Sequence, residues 1–123
     1  KRNANSAKAI EYHAERIRER NRFAEVRALF MDEQPEIDDV TEYFETEDIV
    51  VVPLFVADGY HTEEDIPEDM GLTDDYRTGY SVPATVAGHD IWYAGAVGTE
   101  PLTARVIAER ARDAGAAVDL DSL

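Results

Sequence analysis

Residues 53–68, PLFVADGYHTEEDIPE, carry the chemistry-bearing side chains of this chain. An imidazole, His61, is followed closely by Glu63, Glu64 and Asp65. Neutral imidazole binds cobalt, nickel, iron or zinc, and near pH 7 it also accepts protons. Glu64 and Asp65 stand three and four residues after His61, the separations that share one helix face. Three neighbouring acids cannot all face His61, and for at least one a solvated helix start, favoured by the dipole, is the better reading. The competing reading of His61 is a solvated loop histidine or a helix cap. His89 precedes an apolar run and either lines a site or ends a loop. His13, inside the first helical stretch, is expected at the surface.

A second group is Gly95, Gly98 and Thr99. A glycine-bearing turn between a strand and a helix exposes backbone N–H groups that favour anions. A tight turn needing small residues explains the same pattern equally well. The sequence has neither GxGxxG nor GxxxxGK[ST], so nucleotide binding has weak support. It also lacks a GxSxG elbow and any cysteine nucleophile. Trp92 and Tyr93 are expected to pack in or beside a sheet.

The elements that must position these residues alternate. Residues 3–22 read as a helix, with Ala7, Ile10, Ala14 and Ile17 at helical spacing. Residues 26–31 read as a short buried strand. Pro35 suits a first helical turn, and Ile37, Val40 and Phe44 mark the inner face of that second helix. Residues 49–52 are β-branched without polar alternation, as in a parallel strand covered on both faces. This strand delivers His61 into the loop beyond its carboxyl end, where open α/β sheets bind ligands. Thr62 and Asp65 fit a capping box for a short helix that Pro67 limits. Residues 70–88 read as loop or insertion, residues 91–97 as a strand. Residues 101–114 read as the last helix, with Leu102, Val106 and Ala111 inward and Gly115 as its stop. Residues 117–120 suit a final short strand. The order predicts an α/β domain with a mostly parallel sheet flanked by helices. Such an architecture normally opens on a strand, so a first strand is expected just before Lys1.

Composition narrows the function. The 123 residues suffice for one domain with a core, and 44% are hydrophobic, which excludes a disordered tail. There is no cysteine, so disulfides, zinc–thiolate sites and iron–sulfur ligation are excluded within these residues. No apolar run approaches the ~18 residues of a membrane span. A cytoplasmic location and no membrane partner are expected. The formal charge is -15, and residues 28–76 hold seventeen acids with no lysine or arginine. Nucleic acid is therefore not an expected partner, since phosphate contacts need clustered basic groups. So acidic a surface suits a salty cytoplasm, where ions screen its self-repulsion.

PLFVADGYHTEEDIPE resembles a segment of the CbiX-type sirohydrochlorin chelatases, where an apolar strand ends in a glycine–histidine loop before a DIP-like element. IWYAGAVGTEPLTARVIAERA, residues 91–111, resembles the last strand and helix of that family. RNANSAKAI, residues 2–10, is similar to the stretch just after the family's first-strand histidine motif. The resemblance implies a chelatase-like domain over residues 1–123, a fragment or one half of a two-domain or homodimeric unit. It implies insertion of a divalent metal, cobalt first and iron or nickel as alternatives, into a sirohydrochlorin-type tetrapyrrole. The metal is then a substrate, and no organic cofactor is required. His61 becomes the metal-binding and catalytic residue, with Glu64 and Asp65 tuning it or delivering metal. The family's other active histidine would fall before Lys1. Close contacts to the substrate carboxylates would need Lys1, Arg2, Arg77 or the backbone N–H groups around Gly98 and Thr99. A noncatalytic metal- or tetrapyrrole-binding domain and a flavodoxin-like anion-binding module remain the competing classes.

Overall fold

The computed structural model describes residues 4–72, 83–119 and 121. The expectations placed on Lys1, Arg2, Arg77 and Leu120 lie outside the described residues. Helix α1 spans Ala4–Arg18 and ends four residues earlier than its pattern predicts. Asn21, with φ of 54°, turns the chain, and the Arg18 guanidinium then donates to Val26 O at 2.7 Å. Ala14 is buried with Ala28 and Phe30, and Ala7, Ile10 and Val26 pack against them. Ile17, expected inward, is 43% exposed because the returning chain passes beneath the earlier turns.

Residues 26–31 do not form the expected strand. Among the described residues only Phe30 pairs here, in an isolated parallel bridge with Glu36, and no strand lies alongside to ladder with. The second helix is a 3₁₀ segment, Ile37–Glu42, that starts two residues after Pro35. Ile37 and Val40 are buried and Phe44 packs against them, as their spacing predicts.

Strand β1 is Asp48–Val51, β2 is Ala84–Val86 and β3 is His89–Tyr93. They form a mixed sheet in the order β1-β3-β2, with β1 and β3 parallel and β2 antiparallel to β3. The α/β class predicted from the alternation is therefore present. Strand β2 sits inside the stretch read as loop. Ala87 and Gly88 both have positive φ, the primed two-residue turn that closes a hairpin, and an Ala-Gly pair does not advertise it. No strand forms over residues 116–119.

The register pairs Ile49 with Ile91 and Val51 with Tyr93, so these four share one face. The 3₁₀ segment and helix α2, Ile66–Asp69, cover that face with Ile37, Val40, Ile66 and Met70. Ile91 and Tyr93 are 0% and 1% exposed, and each such burial is worth roughly 1.5–3 kcal/mol. On the opposite face Val50 is 61% exposed, so β1 is covered on one face rather than two. Helix α3, Thr103–Asp113, stops before Gly115 as expected. Its predicted inner face is bare: Leu102 and Val106 are exposed, and no α3 residue is buried, because little of the described chain lies against the helix.

Candidate functional site

Parallel pairing of β1 with β3 brings their carboxyl ends side by side. Beyond Val51 the two chains stay zipped. Ala94 N–H donates to Val51 O at 2.9 Å, Val97 N–H to Pro53 O at 3.1 Å, and Gly98 N–H to Phe55 O at 2.8 Å. Asp58 closes the zip: its Oδ1 accepts Ala96 N–H at 3.0 Å. The chain then turns at Gly59 into a π-helical turn, His61–Asp65, which continues into α2. Such turns are rare and recur at functional sites.

Thr62 anchors this turn and is 1% exposed. Its hydroxyl accepts Gly59 N–H at 2.9 Å and lies 3.2 Å from Gly59 O, to which it donates. Its carbonyl accepts the Tyr93 hydroxyl at 2.6 Å. The expected capping box is not formed. The Thr62 hydroxyl reaches back to Gly59, and Asp65 makes no cap bond because its carboxylate faces His61.

His61 Nδ1 lies 2.8 Å from Asp65 Oδ2. An ionised carboxylate only accepts hydrogen bonds, so Nδ1 carries the proton and Nε2 keeps a free lone pair. The His61 side chain is 60% exposed, and Phe55 lies beside its ring at 6.0 Å between centroids. A carboxylate behind an imidazole fixes the tautomer and the orientation of the ring. Glu64 and Glu63 are exposed. Asp69, further along, has its carboxyl pushed above 3.8, first by desolvation and then by the charges of Asp38, Asp65 and Glu68.

The structure brings His61 and Asp65 into contact and leaves Glu64 in solvent. Among the described residues no group of three or more His, Asp or Glu side chains is arranged to hold a metal ion. One imidazole with its carboxylate can hand on or receive a dication, and further donors must come from the bound ligand or another protein surface. The Gly98 and Thr99 amides are not the free donors expected from their turn. Gly98 N–H is spent on Phe55 O and Thr99 N–H on Ala96 O. What Gly98 supplies is closeness, since a Cβ built on it would lie 1.6 Å from Val56 O. His89 belongs to the other end of the sheet, where Nδ1 donates to Thr46 O at 2.7 Å. His13 is exposed on α1. Sequence reading passed over Asp58 and the Tyr93 hydroxyl, and neither carries a sequence signal beyond an Asp-Gly pair at a strand end.

The family model CbiX matches residues 1–114. A probable sirohydrochlorin cobaltochelatase of Halobacterium salinarum is 73% identical over 117 residues, which cover 95% of this chain and 40% of that protein. A sirohydrochlorin cobaltochelatase of Methanopyrus kandleri is 30% identical over 125 residues, covering 89% of this chain and 87% of that protein. Among solved structures, a multi-domain protein of Deinococcus radiodurans superposes with a TM-score of 0.81 at 29% identity. The match covers 88% of this chain and 25% of that one, which is described as similar to chelatases with two additional novel domains. The chain thus spans about two fifths of the length of its Halobacterium relative.

Proposed function

The chain belongs to the CbiX family, and on that premise we propose that it serves a sirohydrochlorin cobaltochelatase. It would insert Co²⁺ into sirohydrochlorin at His61. The observation that carries this reading is the His61–Asp65 pair at the carboxyl ends of two zipped parallel strands, in a chain 73% identical to a probable enzyme of that activity.

Insertion must exchange the ion's water for ring nitrogens and remove two pyrrole protons. His61 Nε2, with its lone pair exposed, holds the incoming cation while the macrocycle takes over its coordination. Asp65 keeps the tautomer that leaves Nε2 unprotonated and lowers the cost of positive charge beside the ring. Glu64, in solvent one residue away, is suited to accept a released proton and pass it to water. Tyr60 and Val56, 73% and 86% exposed in the same loop, offer apolar surface for a flat macrocycle. Arg2 remains the proposed partner of its carboxylates, the Gly98 and Thr99 amides being engaged. Cytoplasmic residence is part of the same reading. Among the described residues, no helix is long and apolar enough to cross a membrane.

We further propose that this chain acts as one half of a larger unit, a second domain of the same polypeptide or a second copy. Two features support it. Among the described residues no strand pairs the outer edge of β1, and a groove of about 500 Å³ lined by Ala28, Phe30, Val50 and Val52 runs along it. The α3 residues Val106 and Ile107, with Leu102 just before them, are exposed.

The test is metal insertion followed by absorbance, with cobalt, nickel and iron offered separately in high salt. The full-length protein is compared with its His61→Ala variant. Cobalt insertion that His61→Ala abolishes is expected. No insertion with any metal, by folded protein, would replace the enzyme with a noncatalytic binding domain.

A further inference from the structure

We propose that Tyr93 is the positioning residue of the His61–Asp65 pair, acting through the Thr62 carbonyl. The inference rests on the reading of His61 as the metal-binding group, but its geometric part stands on the turn itself.

In the π-helical turn, Ile66 N–H donates to His61 O, five residues back. The same spacing would offer Thr62 O the N–H of residue 67, and residue 67 is a proline with no N–H to give. Thr62 is 1% exposed, and a buried carbonyl requires a partner. The Tyr93 hydroxyl supplies it at 2.6 Å. Tyr93 is itself 1% exposed, the last residue of β3, held by its register with Val51. The sheet end therefore fixes the height and width of the turn that carries His61.

Width matters to the pair. In a regular α-helix, residue i+4 is offset from residue i by about 40° around the axis. The wider turn reduces that offset and sets Asp65 Oδ2 2.8 Å from His61 Nδ1. Without the phenol, Thr62 O recovers a partner only if the turn tightens and takes Ile66 N–H from His61 O. That change rotates Asp65 about the axis relative to His61 and loosens the 2.8 Å contact that holds the tautomer.

The experiment uses the full-length protein and Co²⁺ alone as the probe. Tyr93→Phe keeps the ring that fills the core and removes only the hydroxyl. Co²⁺ affinity is read by titration, and the His61 tautomer by ¹⁵N shifts of its ring. The expected result is about a tenfold weaker affinity, the lower end of what outer-shell changes cost, together with ring shifts moved toward a mixed tautomer. In a His61→Ala background Tyr93→Phe should add nothing, since both act through one group. Unchanged ring shifts and affinity would overturn the proposal. An equal loss in both backgrounds would also overturn it, by assigning Tyr93 a merely structural role. If His61→Ala leaves Co²⁺ affinity intact, the metal role of His61 falls instead, and the ring shifts alone decide whether Tyr93 positions the pair.

Discussion

Gly98→Ala is the sharpest perturbation the site allows. A Cβ built there meets Val56 O at 1.6 Å, Val56 C at 2.2 Å and Val56 Cα at 2.5 Å, whereas real Cβ contacts essentially never come under 3.0 Å. All three obstacles are backbone, so no side chain can rotate away. The strand-end loop must retreat by about 1.4 Å. Gly98 N–H···O of Phe55, now 2.8 Å, opens first, and Val97 N–H to Pro53 O and Ala96 N–H to Asp58 Oδ1 come next. Each such bond is worth about 0.5–1.5 kcal/mol net, so losing two or three costs about 1–4.5 kcal/mol. For a domain of this size that lowers Tm by roughly 10 °C. The displaced segment leads directly into His61, and a 1 Å misplacement at a reacting centre can cost about a hundredfold in rate. The assay is thermal unfolding by circular dichroism beside cobalt insertion, in the same high salt. Gly95→Ala is the stability control, because its Cβ meets only ordinary contacts, Thr99 Oγ1 at 3.6 Å and Asp58 Oδ2 at 3.7 Å. A Gly98→Ala protein that melts within about 1 °C of the parent and inserts metal normally would refute the zipped-strand account.

Two further outcomes rest on side-chain electrostatics. Asp65→Ala should weaken Co²⁺ binding by up to about a hundredfold, and Asp65→Asn by about tenfold, since the amide oxygen still accepts from His61 Nδ1; titration that finds both variants equal to the parent would remove Asp65 from the site. Asp69 has a carboxyl pKa raised on folding by desolvation and by Asp38, Asp65 and Glu68, so the folded state binds its proton more tightly than the unfolded one. Stability is therefore lost as pH rises from the unfolded value of 3.8 through the folded one, and the penalty persists at neutral pH. Asp69→Asn should then raise Tm at pH 7 in low salt, by an amount that solvent screening keeps small. The gain should shrink in concentrated salt and vanish below pH 3.8, where both side chains are neutral; a gain that persists in acid would point to a cause other than charge.

Periodicity and separation made part of the molecule legible in its sequence. Ile37, Val40, Ile49 and Ile91 fall in the core because their spacing and branching leave little choice. The meeting of His61 with Asp65 is legible because four residues put both side chains on one side of a helical turn, whose width then sets how closely they meet. The kind of turn was not. Pro67 reads as a limit on helix length, yet its missing N–H also leaves the Thr62 carbonyl to Tyr93, thirty-one residues away. Strand β2 hid behind an Ala-Gly turn. Leu102 and Val106, expected inward from their spacing, are exposed, because burial needs a partner surface and periodicity names only an apolar face. From its place in a turn Gly98 reads equally well as an amide donor or as a small residue that the turn requires. Its actual demand, an approach of backbone to backbone, depends on where Val56 lies, which no local pattern encodes.

The acidic surface poses a problem that the site geometry resolves. Asp58, Glu63, Glu64 and Asp65 favour a dication near His61, but the same field opposes the proposed substrate, which carries carboxylates of its own. The two effects differ in range. At about 0.1 M salt the Debye length is about 10 Å, so every acid in the loop contributes to both; at about 1 M it is about 3 Å. Asp65 is in hydrogen-bond contact with the imidazole at 2.8 Å and continues to act on it. The exposed carboxylates no longer reach across the gap to an approaching macrocycle. Concentrated salt thus removes the diffuse repulsion while sparing the contact that sets the imidazole tautomer. A net charge of -15 is then compatible with the proposed polyanionic substrate, because the carboxylate that acts on His61 touches its partner.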